Sequence, residues 1–299
     1  ILDQQLPSIT GMPQSVTINS QSGLCGSLHA WDIPQSSDNC PDHVFTGTHQ
    51  PGDYFAVGST TVSYTAIDNS GNVSAEEFVV TVVDNEDPAI LGTPMDITVI
   101  ADLGTCSMPV SWDAPEFADN CAIDTSTITH ESGSQFLLGD TLVELATTDI
   151  HGNANTASFV VTVLDQELPE VVNLPENIVI ENDLDSCGAF VSWIEPTSSD
   201  NCEVTSLVGD QVNGSVYPIG TTLVTYTVED SSGNVNEASF EILVEDLQGP
   251  ELFAMPDNVL QENDPGACGA LIDWTLPQTS DNCPNQQLTS SHNPGDFFA

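Results

Sequence analysis

Cys187-Gly-Ala-Phe-Val-Ser-Trp193-Ile-Glu-Pro196-Thr-Ser-Ser-Asp200-Asn201-Cys202 is the stretch that decides the fold, because all its landmarks return at one spacing. Cys25, Cys106, Cys187 and Cys268 form one evenly spaced series and Cys40, Cys121, Cys202 and Cys283 another, both with a period of 81. Trp31, Trp112, Trp193 and Trp274 keep the same step, each followed by Pro34, Pro115, Pro196 or Pro277 and then by Asp-Asn-Cys. A period this long exceeds the range of solenoids, roughly 20 to 50, and implies a string of small domains, each burying its own core. The expected units are 3–83, 84–164 and 165–245, with a partial copy at 246–299. Residues 1–2 read as the end of a preceding repeat, so the chain is expected to begin inside a domain, without an initiator Met or a legible leader.

Outward from this stretch, the strand signal is period-two alternation. In Phe78-Val-Val80-Thr-Val82 and its copies at Phe159 and Phe240, every second residue is apolar on one face. Thr60 to Ala66 reads as the strand before it. Between them, Asp68-Asn-Ser-Gly71-Asn72, copied from Asp149 and from Asp230, supplies the Gly and Asn of a tight hairpin. Ser15 to Ile18 gives an earlier strand, and Gly58, Gly139 and Gly220 mark another turn. Short strands, frequent Gly and Pro and no helical periodicity indicate an all-β chain of small antiparallel sandwiches, with the tryptophans in their cores and a disulfide nearby.

Charge excludes several functions. The chain carries 45 Asp and Glu and no Lys or Arg, for a net charge of −45, where roughly 35 basic residues would be ordinary. Without basic side chains no counterion release can drive nucleic-acid binding, and attraction to anionic lipid fails likewise. With 39% hydrophobic residues in strict period, the acidity does not signal disorder. It favours solubility and a demand for cations, or adaptation to a salty medium.

The eight cysteines form four pairs spaced by 15, which points to one disulfide within each repeat, worth about 3 kcal/mol on chain entropy. Zinc would need a His partner recurring in every repeat, and none of the six His does so. Disulfides place the chain in an oxidising compartment: cell surface, secreted matrix or periplasm. No apolar stretch approaches the roughly 20 residues of a membrane span.

The motif Cys-Gly-x4-Trp-x2-Pro-x3-Asp-Asn-Cys, followed by Tyr217, Gly220, Thr222, Tyr226, Asp230, Gly233, Asn234, Phe240, Ile242 and Val244, resembles the HYR (hyalin) repeat over essentially the whole chain. The resemblance implies immunoglobulin-like sandwiches in extracellular, multidomain, often adhesive proteins. The further Cys pair of many family members is replaced at Met12, Thr93, Leu174 and Met255, so the resemblance implies no second disulfide.

Each repeat opens on Asp-x-Glu/Gln-x-Pro. Asp84, Glu86, Asp165, Glu167 and Asp246, with the loop carboxylates Asp68, Asp149 and Asp230, form a candidate calcium set, since calcium takes six to eight oxygens. The competing reading is that these residues cap turns while Pro restricts a linker, and Gln248 at one junction removes a ligand charge. The Asp of Asp-Asn-Cys is open to both readings. No catalytic constellation stands out among the few His and the paired Cys, so no enzyme is expected. Asn72-Val-Ser and Asn213-Gly-Ser match the glycosylation sequon. The expected function is a structural stalk or filament segment of a long extracellular, cell-surface protein, partnered by neighbouring repeats and by other cells, surfaces or matrix. It requires no cofactor, and calcium at the junctions is the one candidate ion. The alternatives are a calcium-dependent adhesive or carbohydrate-binding module and a self-assembling fibre subunit.

Overall fold

A computed structural model describes residues 3–299; the expectation for residues 1–2 lies outside the described residues. The first repeat contributes β1 (Ser8–Thr10), β2 (Val16–Asn19), β3 (Gly26–Leu28), β4 (Gln35–Ser37), β5 (Val44–Gly47), β6 (Tyr54–Ala56), β7 (Gly58–Ile67) and β8 (Val73–Val83). They form one four-stranded sheet in the order β2-β8-β7-β5 and two ribbons, β1-β4 and β3-β6. The second and third repeats show the same order. The fourth, partial copy holds only two ribbons among the described residues, Glu251–Phe253 with Gln278–Ser280 and Ala270–Ile272 with Asp296–Phe298.

Alternation decides which side of the long hairpin is wet. Phe78, Val80 and Val82 of β8 and Val62, Tyr64 and Ala66 of β7 are buried, while their neighbours face outward. Phe55 of β6 closes the core from the ribbon side, with Ile9, Val16, Ile18 and Phe45 at its margin. β7 and β8 pair antiparallel from Gly58 opposite Val82 to Ile67 opposite Val73, around the loop Asp68 to Asn72. One pairing is parallel, β2 along β8, because the chain must cross the repeat before it returns to that edge. Gly58, Gly139 and Gly220 start the long strand with φ of 118°, 91° and 104°, where only Gly lacks the Cβ clash that resists this turn from ribbon to sheet.

The tryptophans lie at the edge of each core, half-buried. Trp31, Trp112 and Trp193 stand edge-on to Phe78, Phe159 and Phe240 at 5.3, 5.1 and 5.4 Å. Trp31 and Trp193 also donate from Nε1 to the hydroxyls of Tyr64 and Tyr226 at 2.8 Å, a bond Leu145 cannot offer Trp112 in the second repeat.

The cysteine pairing corrects the expectation of a disulfide within each repeat and beside its Trp. The bonds are Cys25–Cys121, Cys106–Cys202 and Cys187–Cys283, with Cα atoms 4.6, 5.3 and 4.8 Å apart, each spanning 96 residues. Among the described residues, Cys40 and Cys268 are free. The reason is length. The Cys40 sulfur lies within 4.8 Å of an Asp3 carboxylate oxygen, and Asn72, just before β8, donates to the Asp3 carbonyl at 3.3 Å. Cys25 lies beyond the other end of β8, where Asn120 bridges the Leu24 carbonyl and the Asp84 carboxylate. The 11 residues of β8 separate the two ends by about 35 Å, whereas a disulfide needs Cα atoms within about 7 Å. Mass mapping after digestion without reduction should therefore recover peptides joined 25–121, 106–202 and 187–283. A 25–40 or 106–121 linked peptide would contradict this arrangement.

The chain clusters into two compact units, Ile1–Ala101 with Ser107–Leu164 and Asp102–Cys106 with Asp165–Ala299. The short segment Asp102–Cys106 groups with the third repeat because Cys106 is bonded to Cys202 and Gly104 N donates to Glu167 at 2.7 Å.

Candidate functional site

The titratable groups gather where one repeat hands over to the next. Asp84 follows directly on β8, and its side chain is fully buried. Its Oδ1 accepts from Ser20 Oγ at 3.1 Å, Glu86 N at 3.3 Å and Asn120 Nδ2 at 3.1 Å. Its Oδ2 accepts no hydrogen bond, although His151 Nδ1 lies 3.2 Å away. Burial alone would push this carboxyl up, but the donors on Oδ1 outweigh it and hold the pKa below the ordinary value.

Asp119 faces Asp84 from the Asp-Asn-Cys turn. Its Oδ2 takes the turn's Cys121 N–H at 2.8 Å, and its Oδ1 is buried without a donor. Asn120 points Nδ2 at the Leu24 carbonyl and Asp84 Oδ1, at 3.2 and 3.1 Å. Two acceptors fix the amide's orientation, so its Oδ1 points the other way, buried and without a donor. Asp149, from the hairpin loop, completes the group: one oxygen from each of Asp84, Asp119 and Asp149 lies within 4.8 Å of the others.

The second junction repeats the pattern. Asp165 Oδ2, Asp200 Oδ1 and Asn201 Oδ1 are buried without donors, while Asp200 Oδ2 accepts Cys202 N–H at 2.8 Å and Asn201 Nδ2 reaches the Thr105 carbonyl at 3.1 Å. Asp281 Oδ1 and Asn282 Oδ1 are orphaned in the same way, but their Asp246 is exposed. Among the described residues of the first repeat only Asp38 Oδ1 is orphaned.

The remaining candidates serve turns. Asp68, Asp149 and Asp230 accept two loop N–H groups on Oδ1 and the Asn72, Asn153 or Asn234 amide on Oδ2, at 2.7 to 2.8 Å. Burial raises these carboxyls, the donors more than compensate, and each ends below the ordinary pKa. Glu86 and Glu167 reach back to the preceding loop and accept from Gly23 N at 2.8 Å and Gly104 N at 2.7 Å. Gln248 does the same for Asp185 N at 3.0 Å. A neutral carbonyl oxygen suffices for that bond, which explains why Glu and Gln alternate there. Both sequon amides are engaged: Asn72 bonds Asp68 and Asp3, and Asn213 bonds the Trp193 carbonyl and Glu195. Hydrogen bonding to Asp3 is the main cause that pushes the free Cys40 thiol up to about 11, followed by burial and the nearby carboxylates.

The Asn of Asp-Asn-Cys is the residue that sequence reasoning passed over. Its signal was there, since it recurs four times, but an amide in a turn motif reads as a turn former.

The HYR domain model matches residues 2–82, 83–163 and 164–244. The chain belongs to the HYR domain family. Hyalin of Lytechinus variegatus is 32% identical over 306 residues, covering 98% of this chain and 57% of that relative. Hyalin of Strongylocentrotus purpuratus is 31% identical over 307 residues, covering 99% of this chain and 26% of the relative. The chain thus spans between a quarter and three fifths of the hyalins it matches. A rat protein named for sushi, von Willebrand factor type A, EGF and pentraxin domains is 29% identical over 54% of this chain and 4% of its own length. Drosophila N-cadherin EC1-3 overlaps at 11% identity, 79% of this chain and 99% of that one, with a TM-score of 0.31, too low to argue from.

Proposed function

We propose that the HYR repeats act as a spacer, a stalk or filament segment of a cell-surface or secreted-matrix protein whose main partners are its own neighbouring repeats. One observation carries this reading: the three disulfides interlock. Each bond begins before the previous one ends, since Cys106 precedes Cys121 and Cys187 precedes Cys202. A covalent path therefore runs from repeat to repeat through the Cys-to-Cys segments alone, leaving each core and long hairpin off the route. Such wiring suits a tether that must hold its length, and it requires no cofactor.

The adhesive alternative would want aromatics recurring on one exposed face. Tyr54 and Phe297 are exposed, but Gln135 and Val216 occupy the matching places between them. Beads coated with the 299-residue chain separate the two readings. The spacer reading expects them to stay dispersed in millimolar calcium and in chelator alike; calcium-dependent clustering would establish the adhesive one.

A further inference from the structure

We propose that each complete junction holds a calcium-class divalent cation on Asp84 Oδ2, Asp119 Oδ1 and Asn120 Oδ1, and on Asp165 Oδ2, Asp200 Oδ1 and Asn201 Oδ1. In the first junction Asp149 lends a further oxygen. The argument starts from unmade bonds. Three buried acceptors without a donor occur at one junction and recur at their copies one period on, and each such group costs about 1–3 kcal/mol. A fold that pairs nearly all its buried polar atoms does not leave the same three unpaired twice without something to meet them.

Chemistry narrows the occupant. The chain has no Lys or Arg to neutralise the paired carboxylates. His151 stands beside Asp84 only, and Ser232 takes its place beside Asp165, so the imidazole is not part of the repeated set. One water offers two hydrogens to three acceptors and no charge. Zinc is disfavoured because Cys121 and Cys202 are committed to disulfides. Two carboxylate oxygens and an amide oxygen are hard donors of the kind calcium takes, whereas magnesium demands a tight octahedron and keeps its waters.

All the ligands belong to the repeat that begins at the junction, and the preceding repeat supplies the lid. The Leu24 and Thr105 carbonyls hold the Asn amides in the orientation that frees Oδ1, and the Cys25 and Cys106 bonds pin those loops in place. In the first repeat the matching Asn39 is exposed.

The test is calorimetric titration of Ca2+ into the disulfide-intact, chelator-treated 299-residue chain in about 0.15 M NaCl, which screens the exposed carboxylates. The expected result is two saturable equivalents. In Asp119→Asn the new amide can still accept the Cys121 N–H while presenting a donor where the free oxygen stood, so one equivalent should be lost or weakened at least tenfold. Asp200→Asn should remove the other and the double variant both, while Asp113→Asn, an exposed carboxylate, should remove none. In each single variant the untouched junction must still bind, which shows that the chain is folded. No saturable uptake, unchanged uptake in the double variant, or Mg2+ binding as tightly as Ca2+ would each overturn the proposal.

Discussion

Pulled from its two ends, the oxidised chain should lengthen to about 250 Å and stop, whereas the reduced chain should reach about 1,000 Å at roughly 3.4 Å per residue. The oxidised limit follows from the interlocked bonds. Tension passes along 1–25, crosses to Cys121, runs back to Cys106, crosses to Cys202, runs back to Cys187, crosses to Cys283 and leaves through 283–299, so only about a quarter of the chain bears load. Unfolding a repeat releases nothing further, because its long hairpin lies in a closed covalent loop. Disulfides inside each repeat would instead leave about four fifths of the chain on the path, about 800 Å. Single-molecule stretching with and without a reductant separates these three lengths, and an oxidised chain that extends beyond about 500 Å, twice the limit set by extended-chain geometry, would refute the interlocked path.

Replacing Asp230 by Ala should cost the third repeat about 3 kcal/mol or more. The carboxylate is buried and accepts from Ser232 N, Asn234 N and Asn234 Nδ2, each at 2.8 Å. Alanine leaves three donors facing a space without an acceptor, and each buried unsatisfied group costs about 1–3 kcal/mol. In a domain of this size about 1 kcal/mol corresponds to about 4–8 °C, so that repeat's calorimetric transition should fall by roughly 12–24 °C. Asp230→Asn should fall less, since its Oδ1 keeps the two backbone donors. Acid gives the sign. The folded-state pKa lies below the unfolded one, so the carboxylate's contribution is present above the ordinary Asp pKa and is lost as pH falls through the lowered value. The gap between the native chain and Asp230→Ala should therefore narrow below about pH 4. A loss under about 1 kcal/mol at neutral pH, the low end for a single unsatisfied group, would show that the loop is held by its turn conformation alone.

The long hairpin was legible because Phe78, Val80 and Val82, and Val62, Tyr64 and Ala66, alternate with residues that water can reach, and a local period settles a local structure. The parallel pairing of β2 with β8 was not legible, since it joins Val16 to Val80 and no short-range pattern records which edge a strand joins. The disulfide pairing failed for a different reason. A strict translation by one repeat is satisfied equally if Cys25 pairs with Cys40, Cys40 with Cys106, or Cys25 with Cys121, and only the length of β8 shows that Cys25 and Cys40 lie at opposite ends of a repeat. At the junction the sequence identified Asp84 and Asp165, but it could not show that Glu86 and Glu167 bind loop amides or that the Asn120 oxygen is buried without a donor. Those facts depend on which atoms of one side chain are already engaged.

The pairing of each cysteine with a partner one unit along also governs how such a chain can change in length. Removing residues 84–164 would bring Cys202 into the place Cys121 holds, at the same separation from Cys25, and no thiol would be stranded. Insertion of a whole unit works the same way. An unrelated domain placed between two repeats would instead break one bridge and leave two reactive sulfurs, so recombination can alter the number of units freely but not their uniformity.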